Sequence, residues 1–238
     1  SIKAVFDPAK NKLFADGEAI RWVAHNAAGE CVGRIAAFYD KTHAYGYEQP
    51  TGGCGFFEAI DDQELANLMF DASRDWLKER GMEAMDGPVN FGSRDAWWGL
   101  LVEGFEYQPL FENPYNPPYY KDLFENYGFQ NYFNQNTYLW KVYDDDVNEV
   151  VYDRVKRLMS TPGYRFSPIG NEDLYSAVEK FRVIYNKAWS LFTGVQPMTV
   201  EEARKMADTM APIVDRNLIW FSYFNDEPRS EERRVGQE

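Results

Sequence analysis

Sulfur and imidazole are scarce in this chain. Of 238 residues, two are cysteine (Cys31 and Cys54) and two are histidine (His25 and His43). None stands in a CxxC or His-x3-His pair, so the spacing offers neither a disulfide framework nor a zinc site. No metal is expected, and both thiols read as free in a reducing cytoplasm. Long apolar runs are missing as well: nothing approaches the roughly 18 residues that a membrane span requires. Residues 1–16 mix Lys, Asp and small side chains without the apolar core of a secretory leader, which adds to the cytoplasmic expectation. Positive charge is the third deficit. Lys plus Arg totals 25 against 38 for Asp plus Glu, a net charge of −13. An acidic chain lacks the cationic face that displaces counterions from phosphates, and an anionic membrane surface repels it. Neither nucleic acid nor a membrane is therefore an expected partner.

Aromatic residues are what the chain has in excess. They make up 17% of it, and sixteen fall between residues 91 and 140. A third of a fifty-residue stretch is too dense for every ring to reach one core, so some of these rings are expected to line a groove or an interface.

The hydrophobic pattern starts with two β-prone runs, 20–25 and 31–39, around a polar loop with Gly29, which predicts a β-hairpin. A Phe-rich third strand is expected over 54–60. Asp61 and Glu64 have capping-box spacing, and Leu65, Leu68, Met69, Ala72 and Trp76 recur at helical intervals up to Gly81. A fourth strand over 83–91 carries Gly87-Pro88 and is expected to kink or lie at an edge. The stretch 92–118 reads as irregular with one short helix over 96–102, followed by a helix over 119–127 closed by Gly128 and a long strand over 131–143.

After the charged run Asp144-Asp145-Asp146, a second set of elements begins. It comprises a helix over 147–159, a strand over 164–169, a helix over 174–188, a helix over 199–210 opened by a Thr199/Glu202 capping box, and a strand over 217–224. Leu218-Ile219-Trp220-Phe221 echoes Ile20-Arg21-Trp22-Val23, each followed by an Asn-containing turn, which suggests two units with one plan. No returning strand is visible past Pro228, where six of ten residues are charged. The expected organisation is a unit over 1–143, an incomplete second unit over 144–228, and a solvated tail over 229–238 where the chain reads as truncated. An apolar strand left open in this way predicts association with a second copy. The fold class is α/β (α+β), with a mixed, mostly antiparallel sheet flanked by helices.

Several ordered motifs carry a resemblance. Val32-Gly33-Arg34-Ile35-Ala36-Ala37, Gly55-Phe56-Phe57-Glu58, Gly87-Pro88-Val89-Asn90-Phe91, Gly99-Leu100-Leu101-Val102-Glu103-Gly104-Phe105 and Pro114-Tyr115-Asn116-Pro117-Pro118-Tyr119-Tyr120 resemble the YghO-like (BcerS-like) group of the GNAT superfamily of N-acetyltransferases. Tyr185-Asn186-Lys187-Ala188-Trp189 and Gly194-Val195-Gln196-Pro197-Met198-Thr199 look like the opening of that group's second unit. The resemblance covers about residues 10–228. It implies an acyl-CoA N-acyltransferase fold and transfer of an acyl group from acetyl-CoA or another acyl-CoA to a small-molecule or peptide amine.

Two needs of that chemistry are not met as the superfamily meets them. A glycine-rich loop should cradle the cofactor's pyrophosphate at a helix N-terminus after the third strand. Asp61-Asp62-Gln63-Glu64 stands there instead. Its three carboxylates suit the helix dipole by roughly 0.3–1 kcal/mol each and would repel a pyrophosphate. No cofactor-binding residue is therefore expected in this chain, and the cofactor is expected only in a complete protein. The proton donor to the leaving thiolate is often a Tyr four residues before the Gly-Phe that closes the last helix. Counting back from Gly128-Phe129 gives Phe124, with Tyr120 one turn earlier.

The weak catalytic candidates are Tyr120, Glu103 and Glu58. Glu103 reads more readily as an exposed helix-end charge, and Glu58 reads equally as an outward strand residue. The substrate-binding candidates are Asn90, Trp97, Trp98, Tyr115, Asn116, Tyr119, Tyr120, Asn186 and Trp189, each with a bland counterpart as a turn amide or core ring. Asn90, Trp97, Trp98, Tyr115 and Tyr120 are expected around one concave site. Two functions stay open: an N-acyltransferase-like protein, and a non-catalytic binding or dimerisation module with an aromatic-lined groove.

Overall fold

The structure, a computed structural model, describes residues 1–46, 48–92, 96–139, 149–189 and 197–229. The chain divides into two compact units, 1–136 and 137–238. Both are mixed α+β, with largely antiparallel sheets and packed helices.

In the first unit a short helix α1 (Ile2–Val5) and a 3-10 turn (Lys12–Ala15) lead into β1 (Gly17–His25). Asn26 closes the following turn, its Oδ1 accepting from the N–H groups of Ala28 and Glu30, both at 3.0 Å. The chain then returns antiparallel as β2 (Cys31–Asp40). After one turn of α2 (Lys41–Ala44), β3 (Thr51–Ala59) pairs antiparallel with β2. The crossover helix α3 (Gln63–Lys78) brings β4 (Ala84–Asp86) parallel to β3, giving the order β1-β2-β3-β4. Helix α4 (Tyr120–Tyr127) ends on Gly128, whose φ of 119° is the left-handed stop the sequence predicts.

Alternation in β2 sends successive side chains to two cores. Ile35 joins Cys54, Phe57, Phe70, Leu123 and Phe124 under α3 and α4. Ala36 and Phe38 join Val89 and Phe91 on the other face, covered by Phe6 and Phe14 from the N-terminal segment.

Three sequence expectations change here. The cap of α3 is Asp62, not Asp61: its carboxylate accepts from the N–H groups of Glu64 and Leu65 at 2.9 and 3.1 Å. No helix forms over 96–102, because the Trp97 N–H donates to Glu112 O and the Gly99 N–H to Pro88 O, both at 2.8 Å, instead of up a helical turn. No strand forms over 131–139, where Tyr132 and Tyr138 are fully exposed; the expected continuation over 140–143 lies outside the described residues.

The second unit contains α5 (Glu149–Ser160), β5 (Tyr164–Pro168), α6 (Leu174–Trp189), α7 (Val200–Met210), β6 (Trp220–Phe224) and β7 (Glu227–Arg229). Its antiparallel sheet has the order β5-β6-β7. The Thr199/Glu202 capping box forms as the spacing predicts. Ile169, Ala177, Phe221 and Tyr223 make one core cluster, and Val178, Ala203 and Ala207 make another.

The strand β7 corrects the expectation of a missing return. Asn225 and Asp226, at φ 51° and 62°, form a two-residue hairpin turn, and Arg229 lies in the sheet opposite Ser222. Pro228 is tolerated because it faces Tyr223 at a position whose N–H would point away from β6. The remainder of the expected tail, 230–238, lies outside the described residues.

The β3–β4 region leaves no room for a side chain at position 55, where a methyl group would overlap the Val89 carbonyl oxygen. Gly55→Ala is therefore expected to cost about 3 kcal/mol, read as a lowered urea midpoint with an unchanged slope. An unchanged midpoint would show that β3 and residue 89 do not close on each other.

Candidate functional site

The site forms where β3 loses its second neighbour. Arg34 pairs with Glu58 and Ala36 with Gly55, so β3 carries one residue more than β2 between these points. Phe56 takes up the excess with φ 52°, a β-bulge that sends its ring to the face opposite Phe57. Phe56 meets Phe6 at 4.9 Å between ring centroids, and Phe57 stacks on Phe70 at 5.0 Å. On the other edge, β4 pairs with β3 only as far as Gly53, with one further bond from Val89 N–H to Cys54 O at 2.8 Å. Beyond Cys54, no strand lies along that edge of β3 among the described residues.

Two tyrosines take the place of the missing strand. The Ile60 N–H donates to Val32 O, so by alternation the peptide groups of Ala59 face away from β2. There the Tyr120 hydroxyl accepts from the Ala59 N–H at 3.0 Å, and the Tyr119 hydroxyl donates to Ala59 O at 2.8 Å. The two rings meet edge to face at 5.2 Å.

Their hydroxyls are not equivalent. Tyr119 spends its proton on the carbonyl, whereas no acceptor for the Tyr120 proton occurs among the described residues. Burial pushes both phenols above the usual tyrosine value. The Asp61 carboxylate adds to the shift at Tyr119, while the bond from Ala59 offsets part of it at Tyr120. Tyr120 also feels the charges of Glu58 and Arg34. That pair bridges β3 and β2 at 2.7 Å on the exposed side, and the buried Nε of Arg34 has no partner. Tyr119, Tyr120 and Glu58 were all legible as candidates. Arg34 was not, although a lone cation in an otherwise apolar strand opposite Phe56-Phe57-Glu58 was the available signal.

The remaining candidates divide. Trp97 is half-buried, 6.1 Å from Phe56, and Trp98 packs on the cluster of Ala36, Phe38, Val89 and Phe91. Asn90 is buried between Val89 and Phe91 in sequence, and Tyr115 is exposed. Tyr120 lies in the α3/α4 core and Trp98 in the cluster on the other sheet face, so these two of the five residues expected around one concavity lie on opposite faces. Glu103 is exposed on a bend.

The Asn116 amide accepts from Leu101 N–H at 2.8 Å and donates to Leu101 O at 3.2 Å. Asn186, in the second unit, treats Met198 in the same way, at 2.7 and 3.0 Å. Both amides are occupied by backbone groups. Trp189 ends α6 beside Tyr185 at 6.3 Å.

The residues at the start of α3 do not fit a pyrophosphate. Asp62 already accepts from two of the helix's N-terminal N–H groups, and Asp61 and Glu64 flank it. Cys54 is fully buried, and burial drives its thiol far above the usual value, so it is no nucleophile. Among the described residues no group of side chains could hold a metal ion.

No protein-family model and no solved structure matches the chain. Two curated proteins do. Bacterial ceramide synthase of Caulobacter vibrioides is 30% identical over 226 residues, which cover 92% of this chain and 56% of that protein. Protein YghO of Escherichia coli is 28% identical over 209 residues, covering 87% of this chain and 52% of that protein. The likeness supports the YghO-like group. The chain spans about half the length of the curated relatives it matches.

Replacing Tyr120 by Phe leaves the buried Ala59 N–H without its acceptor and is expected to cost about 1–3 kcal/mol in a urea melt. Tyr119→Phe strands only a carbonyl at a half-buried site and is expected to cost less. Equal losses would show that Ala59 is not held in this way.

The pH dependence follows from the direction of the shifts. Tyr119, Tyr120 and Tyr127 bind their protons more tightly folded than unfolded. Their contribution is whole below the unfolded tyrosine value of about 10 and is lost as pH rises through the folded values. Their phenolate absorbance is expected to appear only together with alkaline unfolding. A normal tyrosine titration of all three in a still-folded chain would overturn this.

Proposed function

We propose that the chain is part of an acyltransferase-like protein of the GNAT superfamily that transfers an acyl group to an amine, and that this part supplies groups on the acceptor side. The observation that carries this reading is the unshared Tyr120 proton at the released edge of β3, a phenol that also feels the charge of Glu58. A relative's name supports the class of acceptor. A ceramide is a long-chain amino alcohol acylated on nitrogen, so the amine proposed here is a long-chain one.

Glu58 would hold the ammonium form of such an amine through a charge-assisted hydrogen bond, with Arg34 fixing the carboxylate in place. Tyr120, kept neutral by burial, would hold a proton donor at the released edge of β3. Acyl-CoA has no fit at α3, so no step is placed on it in this chain, and its grip is proposed for the part of the protein that the relatives have in addition.

Calorimetry on this chain at low salt is expected to show no acetyl-CoA binding; micromolar binding abolished by substitutions at 61–64 would overturn that part. In the full-length protein, Tyr120→Phe is expected to lower kcat about a hundredfold per folded molecule with little change in KM. Glu58→Gln is expected to raise KM for the amine. The alternative, a non-catalytic binding or dimerisation module, is favoured by the self-capped start of α3, and unchanged kcat in Tyr120→Phe would select it.

A further inference from the structure

Among the described residues, five other than glycine hold a positive φ. Asn225 and Asp226 belong to the β6–β7 hairpin turn, where such angles are ordinary. The other three touch one another. Phe56 (52°) and Trp97 (50°) bring their rings to 6.1 Å between centroids, and the Trp97 N–H donates to the carbonyl of Glu112 (63°) at 2.8 Å. For a bulky side chain the left-handed region is costly, and strain of this kind gathers where function retains it. The pair shares a sheet face with the Glu58–Arg34 ion pair. Phe57 and Ala59 both join the core under α3 and α4, so Glu58 between them points to the opposite face. Ile35 in that same core sends Arg34 and Ala36 to the opposite face as well, and Ala36 belongs to the cluster on which Phe56 packs. Phe56 and Trp97 are both half-buried, so each ring keeps apolar surface open.

We propose that Phe56 and Trp97 are specificity-determining residues whose rings form an apolar wall for the alkyl chain of the amine held at Glu58. The inference rests on the proposed function for the site at Glu58 and adds the substrate's chain to it. Two observations select an alkyl chain as what the rings meet. Cations are already present on this face: Arg34 is paired with Glu58 at 2.7 Å, and the Arg21 guanidinium lies 4.9 Å over the Phe6 ring, which in turn meets Phe56. The rings are therefore left for the uncharged part of the ligand. The second observation is the strain, which a packing role alone does not explain, because a core ring can be supplied from an unstrained backbone.

The test is equilibrium binding of butylamine, hexylamine and octylamine to the chain at pH 7, by calorimetry and without an acyl donor. Affinity is expected to rise about two- to fourfold per methylene. In Trp97→Gly that increment is expected to fall below about 1.5-fold per methylene. The urea midpoint of this variant is expected to stay at or above the wild-type value, because glycine relieves the left-handed backbone. Trp97→Asn, whose side chain is polar and tolerates the same region, gives the same readout if the glycine variant folds poorly. Glu58→Gln is expected to weaken all three amines by one common factor and leave the increment unchanged. An increment that both Trp97 variants leave intact would overturn the wall while the amine reading of Glu58 stands. Absence of octylamine binding at millimolar concentration would overturn both. Loss of the increment together with an unchanged kcat in Tyr120→Phe would keep the wall and place it in a non-catalytic binding module.

Discussion

The first unit depends on how β3 satisfies its peptide groups after β4 turns away. Up to Cys54 the strand has neighbours on both sides, and the approach on the β4 side is so close that only glycine fits at position 55. Past that point its outward N–H and C=O groups would be buried without partners, at a cost of several kcal/mol for a dry peptide. The bulge at Phe56 and the first turn of α4 resolve this together. The bulge sets the side-chain phase, and the hydroxyls of Tyr119 and Tyr120 stand in for a strand at Ala59. Placing α4 there also closes the core, because Leu123 and Phe124 follow on the inner face of the same helix.

That arrangement explains how the aromatic excess is distributed. Phe57, Phe70, Phe124 and Phe129 pack within about one ring of each other, while Tyr127 reaches out to Asp71 at 2.7 Å and Arg74 at 2.9 Å, which ties α4 to α3. A second group, Phe6, Phe14, Phe38, Phe56 and Phe91, packs on the other face. The density read from the sequence thus serves two cores back to back, and Tyr107, Phe111, Tyr115, Tyr132, Phe133 and Tyr138 are exposed on the loop at 105–116 and beyond Phe129.

What was legible in the sequence was the part governed by local rules. The hairpin, the periodicity of α3, the Gly128 stop and the Thr199/Glu202 box all follow from nearest-neighbour chemistry. What was not legible depended on distant partners. Residues 96–102 have the composition of a short helix, but their N–H groups are claimed by residues 88 and 112. The return strand β7 was hidden because its two unfavourable features, Pro228 and high charge, matter only for a strand paired on both sides. Glu58, Tyr119 and Tyr120 could be nominated from residue type, yet the role of the phenols required knowing where the Ala59 peptide points.

The two asparagine clamps show how a side chain can grip backbone that lies outside regular structure. A side-chain amide offers a donor and an acceptor at the spacing of a peptide group, so it can grip the N–H and C=O of one residue as a strand would. Asn116 does this to Leu101 and Asn186 to Met198, across 15 and 12 residues of chain. Either asparagine, read from the sequence, was a plausible ligand for a substrate. In the fold the same capacity for paired hydrogen bonding is consumed by the backbone of Leu101 and Met198, whereas at the edge of β3 the Tyr120 proton has no acceptor among the described residues.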